Sequence, residues 1–123
     1  MRTVVELDPV LIVRQPGREV GRRVVVDKDP FVIGRSSRSD LEIETESASK
    51  RHARIERTAE GWQVTDLEST NGTKLNGKAF RGSKALTSGD VIVVGHVELE
   101  WRILDEEGLA DVGETIVLEP TKV

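Results

Sequence analysis

Short apolar runs separated by polar, turn-forming residues set the pattern of this chain. Val10-Leu11-Ile12-Val13 lies within Glu6 to Gln15 and stops at the turn pair Pro16-Gly17. Val24-Val25-Val26 follows within Arg22 to Asp27, and Asp29-Pro30 separates it from Phe31-Val32-Ile33. All three runs are rich in β-branched side chains and too short for helices, so they predict strands. Leu41-Glu42-Ile43-Glu44 alternates, as do Ala53 to Arg57 and Trp62 to Thr65, with Gly61 breaking the chain between the last two. Asn71-Gly72 and Asn76-Gly77 each predict a tight turn, because both residues of such a pair tolerate positive φ. Ser88-Gly89-Asp90 turns into Val91-Ile92-Val93-Val94, and Gly95-His96 predicts a hairpin tip that leaves His96 exposed. The last strand is the most regular. It places Val97, Leu99, Trp101 and Ile103 on one face and Glu98, Glu100 and Arg102 on the other, a period of two.

No stretch up to Leu104 carries a helical period. Roughly ten short strands at turn-punctuated spacing predict an all-β sandwich. Aromatic residues are scarce, so Trp62, Trp101 and Phe31 are expected as core anchors. Internal repeats and low-complexity segments are absent from the sequence.

Length and composition narrow the picture. A chain of 123 residues fits one domain with a core that needs no staples. Cysteine is absent, which removes disulfides and thiolate metal sites and suits a reducing compartment. No apolar run approaches the roughly 18 residues of a membrane helix and no signal peptide opens the chain, so a soluble, cytoplasmic protein is expected. The formal net charge of −4 is unevenly placed. Up to Leu104 there are 17 Lys/Arg against 16 Asp/Glu, whereas from Asp105 onward Lys122 stands against six acids. The expected organisation is therefore a domain over residues 1–104 and an acidic tail over 105–123. A nearly neutral body argues against general nucleic-acid binding, which wants a net basic face.

The candidate chemistry lies in two polar loops at the ends of the stretch from Gly34 to His52. Gly34-Arg35 follows one apolar run, Ser49-Lys50-Arg51-His52 precedes another, and Leu41 and Ile43 are core positions between them. Loops on a rigid sheet are where binding groups sit. A planar guanidinium, hydroxyl donors and close-approaching glycine backbone are the groups that hold an oxyanion. His52 beside Ser49, with Asp66 to orient it, would make a hydrolase only with a strained nucleophile turn and an oxyanion hole, and neither pattern is present. The chain also lacks paired acids in a marked loop, metal-ligand spacing and a nucleotide loop, so no enzyme, metal or cofactor is expected.

Taken in order, Gly34-Arg35, Ser49-Lys50-Arg51-His52, the run Trp62 to Thr73, Leu75-Asn76-Gly77 and the run Leu86 to Gly95 resemble a forkhead-associated (FHA) domain. That family is a phosphothreonine-binding β-sandwich, and the resemblance covers about Val10 to Leu104. It implies an FHA-like sandwich of about eleven strands with recognition loops at one end. It also implies phosphopeptide-binding roles for Arg35, Ser49, Lys50, Arg51, Thr70 and Asn71. Arg35 can engage two phosphate oxygens; Ser49 and Thr70 can donate hydroxyls, and Lys50 a charge or an amide. Asn71 suits gripping the extended peptide main chain, while Arg51 lies near the phosphate or stacks along its loop. Gly34 and His52 are implied to brace the loops, Gly34 through close approach or positive φ.

In relatives, the preference three residues past the phosphothreonine is set largely by loop side chains. Ser47 is small and neutral, which argues against an acidic preference there, though Arg38 and Lys74 could restore one. The expected partners are a phosphothreonine-containing protein or peptide and an upstream Ser/Thr protein kinase, with no nucleic acid and no membrane. Thr115 sits behind acids in the tail and is a candidate phosphorylation site. Its modification would let the tail dock into its own loops or a neighbour's; an unmodified tail, or an extra edge strand from Ile116-Val117-Leu118, is the alternative. A phosphate-independent structural or oligomerisation scaffold is the competing class of function.

Overall fold

A computed structural model describes residues 8–14 and 21–103. Among these residues the chain forms eleven strands and no helix. They are β1 (Val10–Arg14), β2 (Arg22–Val25), β3 (Phe31–Gly34), β4 (Leu41–Glu42), β5 (Ala53–Thr58) and β6 (Gly61–Asp66), then β7 (Thr73–Leu75), β8 (Lys78–Phe80), β9 (Ser83–Leu86), β10 (Val91–Val94) and β11 (Val97–Arg102). One sheet has the order β2-β1-β11-β10-β7-β8 and the other β4-β3-β5-β6-β9. All pairs are antiparallel except β3 with β4. The expected all-β sandwich is what the chain forms. No described helix is long and apolar enough to cross a membrane. Leu104, the tail, Thr115 and Ile116–Leu118 lie outside the described residues.

The two inner faces meet in one core that includes Leu11, Phe31, Ile33, Ile55, Val64, Ile92, Leu99 and Trp101. Period-two alternation puts these side chains between the sheets and their neighbours outside. Leu41 and Ile43 are both buried, as expected, although the strand there is only two residues long.

Two expectations need correcting, for Trp62 and for Asn71-Gly72, and Glu100 adds a burial that alternation does not indicate. Trp62 is only partly buried. Its ring meets Trp101 edge-on at 5.6 Å and 61°, while the Arg57 guanidinium lies 5.5 Å from its centroid. Trp62 therefore covers the core's margin while Trp101 and Phe31 fill it. Glu100 belongs to the outward set on β11, yet it is 4% exposed. Its strand is central in the sheet, between Ile12 on β1 and Val91 on β10, and the Arg14 and Arg102 guanidinium groups close over the carboxylate. A buried carboxylate needs that pairing. Finally, the two Asn-Gly pairs differ. Asn76-Gly77 closes the β7–β8 hairpin with φ of 52° and 86°, the geometry that a two-residue turn requires. Asn71-Gly72 joins β6 in one sheet to β7 in the other, and only Gly72 has positive φ, at 82°.

Candidate functional site

The loops after β3, before β5 and between β6 and β7 are tied together by backbone bonds. Arg35 N donates to Ser49 O at 2.9 Å and Ser36 N to Lys50 O at 3.2 Å, while Ile43 N reaches Gly34 O at 2.7 Å. Such contact leaves no room for a side chain at position 34. A Cβ on Gly34 would lie 2.1 Å from Lys50 O. Of the two reasons for a glycine there, close approach applies, since Gly34 is not among the positive-φ glycines.

His52 is fully buried beneath these loops. Ser49 N donates to its Nδ1 at 3.0 Å, and Nε2 lies 2.8 Å from Gly72 O. An amide can only donate and a carbonyl can only accept, so the ring is neutral with its proton on Nε2. His52 O also accepts from Leu67 N at 2.9 Å. One residue thus joins the β4–β5 loop to the β6–β7 loop without facing solvent, which leaves no access for a base.

The hydroxyl of Ser49 accepts from Thr70 N at 2.9 Å, and Asn71 Nδ2 donates to Ser47 O at 2.9 Å. These bonds bring Ser49, Thr70 and Asn71 onto one surface with Arg35. The Ser49 O–H remains available to donate, and the Asn71 amide oxygen remains available to accept. Arg35 Nε is fixed on Ala48 O at 2.9 Å, which holds the guanidinium while leaving both Nη groups unengaged among the described residues. Lys50 and Arg51 are exposed. Lys50 joins the loops through its carbonyl, and Arg51 lines a neighbouring cleft with Ser36 and Arg38. Among the described residues no carboxylate pairs with Arg35, Lys50 or Arg51. The surface is therefore rich in uncommitted donors and has no built-in counter-ion among the described residues.

Asp66 was legible only as a rejected catalytic acid, and its actual place is structural. It is buried and accepts from the Ser69 hydroxyl, from Thr73 Oγ1 at 2.7 Å and from Arg81 Nη1 at 2.9 Å. Burial works to raise its pKa, but those bonds outweigh it and hold the carboxyl below its ordinary value. Arg81, from the β8–β9 turn, also donates to Ser69 O at 2.7 Å. The β6–β7 loop that carries Thr70 and Asn71 is thereby clamped at its base. Glu68 in the same loop has φ of 55°, a conformation that costs about 1 kcal/mol in a residue with a Cβ. The sequence signal for this clamp, acid and hydroxyls around an Asn-Gly pair, was present but did not reveal Arg81.

A second cleft lies on the Asn71 side and is bordered by Ser47, Asn71, Lys74, Gly95 and His96. The β10–β11 tip packs closely there, since a Cβ on Gly95 would lie 2.8 Å from Ser47 Oγ. His96 is exposed, as expected. Lys74 borders this cleft and Arg38 the other.

Residues 31–95 match the family model for the FHA domain. An oxoglutarate dehydrogenase inhibitor from Corynebacterium jeikeium is 33% identical over 89 residues, which is 72% of this chain and 61% of that protein. The FHA domain-containing protein FhaB of Mycobacterium tuberculosis is 34% identical over 86 residues, 70% of this chain and 56% of the relative. The chain thus spans less than two thirds of the length of both. A structure solved in work on phosphothreonine-dependent FHA domain interactions superposes with a TM-score of 0.68 at 28% identity, covering 77% of this chain and 95% of that one.

Proposed function

The chain belongs to the FHA-domain family, and from that premise we propose that it binds phosphothreonine-containing protein or peptide in Ser/Thr kinase signalling. It acts as a binding module, not a catalyst. The observation that carries this reading is the joined set of Arg35, Ser49, Thr70 and Asn71 on braced loops, with no carboxylate among the described residues paired to the arginine. A phosphothreonine brings close to two negative charges and three strong acceptor oxygens. Arg35 meets that charge with its free Nη groups, Ser49 and Thr70 with their hydroxyls, and Lys50 from the rim. Asn71 accepts from or donates to the peptide main chain. Gly34 and His52 hold these groups in place before the ligand arrives, so little ordering cost remains at binding.

In this reading residues 1–104 form the binding domain and 105–123 an acidic tail. The mark is written by an upstream Ser/Thr kinase, and the site of action is cytoplasmic. A structural scaffold that ignores phosphate has no use for an uncommitted donor set, which is why the phosphate-dependent reading is preferred.

Screening an oriented phosphothreonine peptide library against its dephosphorylated counterpart tests this. Selection of defined sequences from the phosphorylated pool alone is expected. Equal capture from both pools would support the scaffold instead. Affinity should also fall as pH drops through about 6, where the phosphate loses its second charge.

A further inference from the structure

A second group of cations stands beside the proposed phosphate site. An open cleft of about 340 Å³ is lined by Val32, Ser36, Arg38, Ser39, Asp40 and Arg51. Arg38 and Arg51 are exposed, and among the described residues neither guanidinium is paired with a carboxylate. The one acid in the wall is already committed. Asp40 Oδ2 accepts from Val32 N at 2.8 Å, and Oδ1 lies 3.2 Å from Lys28 Nζ.

The turn that presents Arg38 is ordered by its own bonds. Ser39 N donates to Ser36 O at 3.0 Å, Arg38 N to Ser36 Oγ at 3.1 Å, and Asp40 N to Val32 O at 2.8 Å. Ser39 Oγ reaches Lys50 O at 3.4 Å, tying the turn to the neighbouring loop. Since Ser36 Oγ accepts from an amide, its own proton is left to donate outward. The cleft therefore offers two guanidinium groups and a hydroxyl donor, the same donor chemistry as the Arg35–Ser49–Thr70 set.

Its position relative to that set follows from one short run of chain. Ser47 borders the cleft beside Asn71, Ser49 belongs to the phosphate set, and Arg51 lines the arginine cleft. An extended peptide centred on Ser49 would lay one flank toward Ser47 and the other toward Arg38 and Arg51. If the residues after the phosphothreonine run past Ser47, as the resemblance implies, those before it fall on the arginine side, and Arg38 serves the upstream flank instead of the downstream one expected of it.

We infer that the Arg38–Arg51 cleft is a second anion subsite, taking a phosphate or carboxylate carried by the peptide on the N-terminal side of its phosphothreonine. The favoured ligand is thus a multiply phosphorylated or acid-preceded segment. This rests on the phosphothreonine reading above. At about 3.3 Å per residue, an extended chain brings side chains roughly two to four positions upstream within reach of the cleft. Paired guanidinium groups favour phosphate over carboxylate, because phosphate brings more charge and more acceptor oxygens.

The test is calorimetric titration of the full chain with a matched peptide series. One peptide carries a single phosphothreonine; the others add phosphothreonine or glutamate two, three or four positions before it. For the unaltered protein, a second phosphate should tighten binding about five- to tenfold at one of these positions, and glutamate about two- to threefold. Arg38→Ala should remove both gains while leaving affinity for the singly phosphorylated peptide unchanged. Arg38→Glu should turn the gain into a loss. A gain from phosphate with none from glutamate makes the subsite phosphate-selective, whereas gains from both make it a general acid reader. Tight binding of the singly phosphorylated peptide with no gain at any position, or a gain that survives Arg38→Ala, overturns the second subsite alone. Failure of every phosphopeptide to bind overturns the phosphothreonine reading and the subsite with it.

Discussion

Asn76-Gly77 closes a hairpin between two strands of one sheet, and the turn uses the asparagine completely. Its backbone sits at positive φ, its Nδ2 donates to Asp90 Oδ1 at 3.0 Å, and its Oδ1 accepts from Val91 N at 2.9 Å. Asn71-Gly72 has the same two residues but carries the chain from one sheet to the other. There only the glycine turns left-handed, and Asn71 keeps an exposed side chain that touches Ser47 O and has capacity to spare. Strand pairing on both sides consumes the asparagine in the first case. The crossover releases it in the second. A dipeptide that signals a turn therefore does not say whether its side chain is structural or available for a ligand; the sheets on either side decide that.

The same division separates the inner and outer layers of the recognition end. Gly34, His52 and Asp66 are buried and engaged, while Arg35, Lys50, Thr70 and Asn71 are exposed. Substitutions in the two layers should have effects that do not overlap, even for neighbours in sequence. Arg35→Ala should weaken phosphopeptide binding by about 2–5 kcal/mol, because it leaves phosphate charge unpaired. Its thermal midpoint should barely move. Gly34→Ala, one residue earlier, should destabilise the fold by about 2–4 kcal/mol, since the added methyl meets a carbonyl that cannot withdraw. Chemical denaturation would read that loss, and a fully stable Gly34→Ala variant would break the division.

The asparagines give a closer comparison. Asn71→Ala should lower peptide affinity by about 1–2 kcal/mol with little change in stability, as one ligand-facing amide is removed. Asn76→Ala should lower stability by about 1–2 kcal/mol, through two lost bonds and a strained backbone, with peptide affinity intact. Equal effects of both on binding would mean that the turns are not distinct.

The smallest expected effect is on pH. Asp66 is held below its ordinary pKa in the folded protein, so the folded state favours its ionised form. That contribution is fully present above the unfolded value of about 4 and is lost as pH falls through the lower folded value. Asp66→Asn should flatten the acid limb of the stability profile. An unchanged limb would remove Asp66 from the account of the loop clamp.

Much of the fold could be read from alternation. The β11 pattern, the Asn76-Gly77 hairpin and the Gly95-His96 tip all depend on neighbours in sequence, and all are present. The partial exposure of Trp62 and the burial of Glu100 are not legible there, because burial depends on which strands lie alongside, and the period along one strand does not contain that information. The loop positions of Arg35, Ser49, Thr70 and Asn71 were visible as residue types in order. What joins them was not: the Gly34–Lys50 approach, the tautomer of His52 and the Arg81 clamp on Asp66 all connect residues brought together by strand pairing. The cleft around Arg38 and Arg51 is of the same kind, since charge alone does not show which cations lack a carboxylate partner among the described residues.

The most direct test of the central claim is calorimetric titration with one peptide in two forms, phosphorylated and unphosphorylated at a single threonine. The peptide should come from the library selection, so that its flanking residues are accepted. Saturable one-to-one binding of the phosphorylated form is predicted, with the unphosphorylated form weaker by about a hundredfold or more. Equal affinity for the two forms would contradict the account, and the loops around Arg35 would then need another ligand.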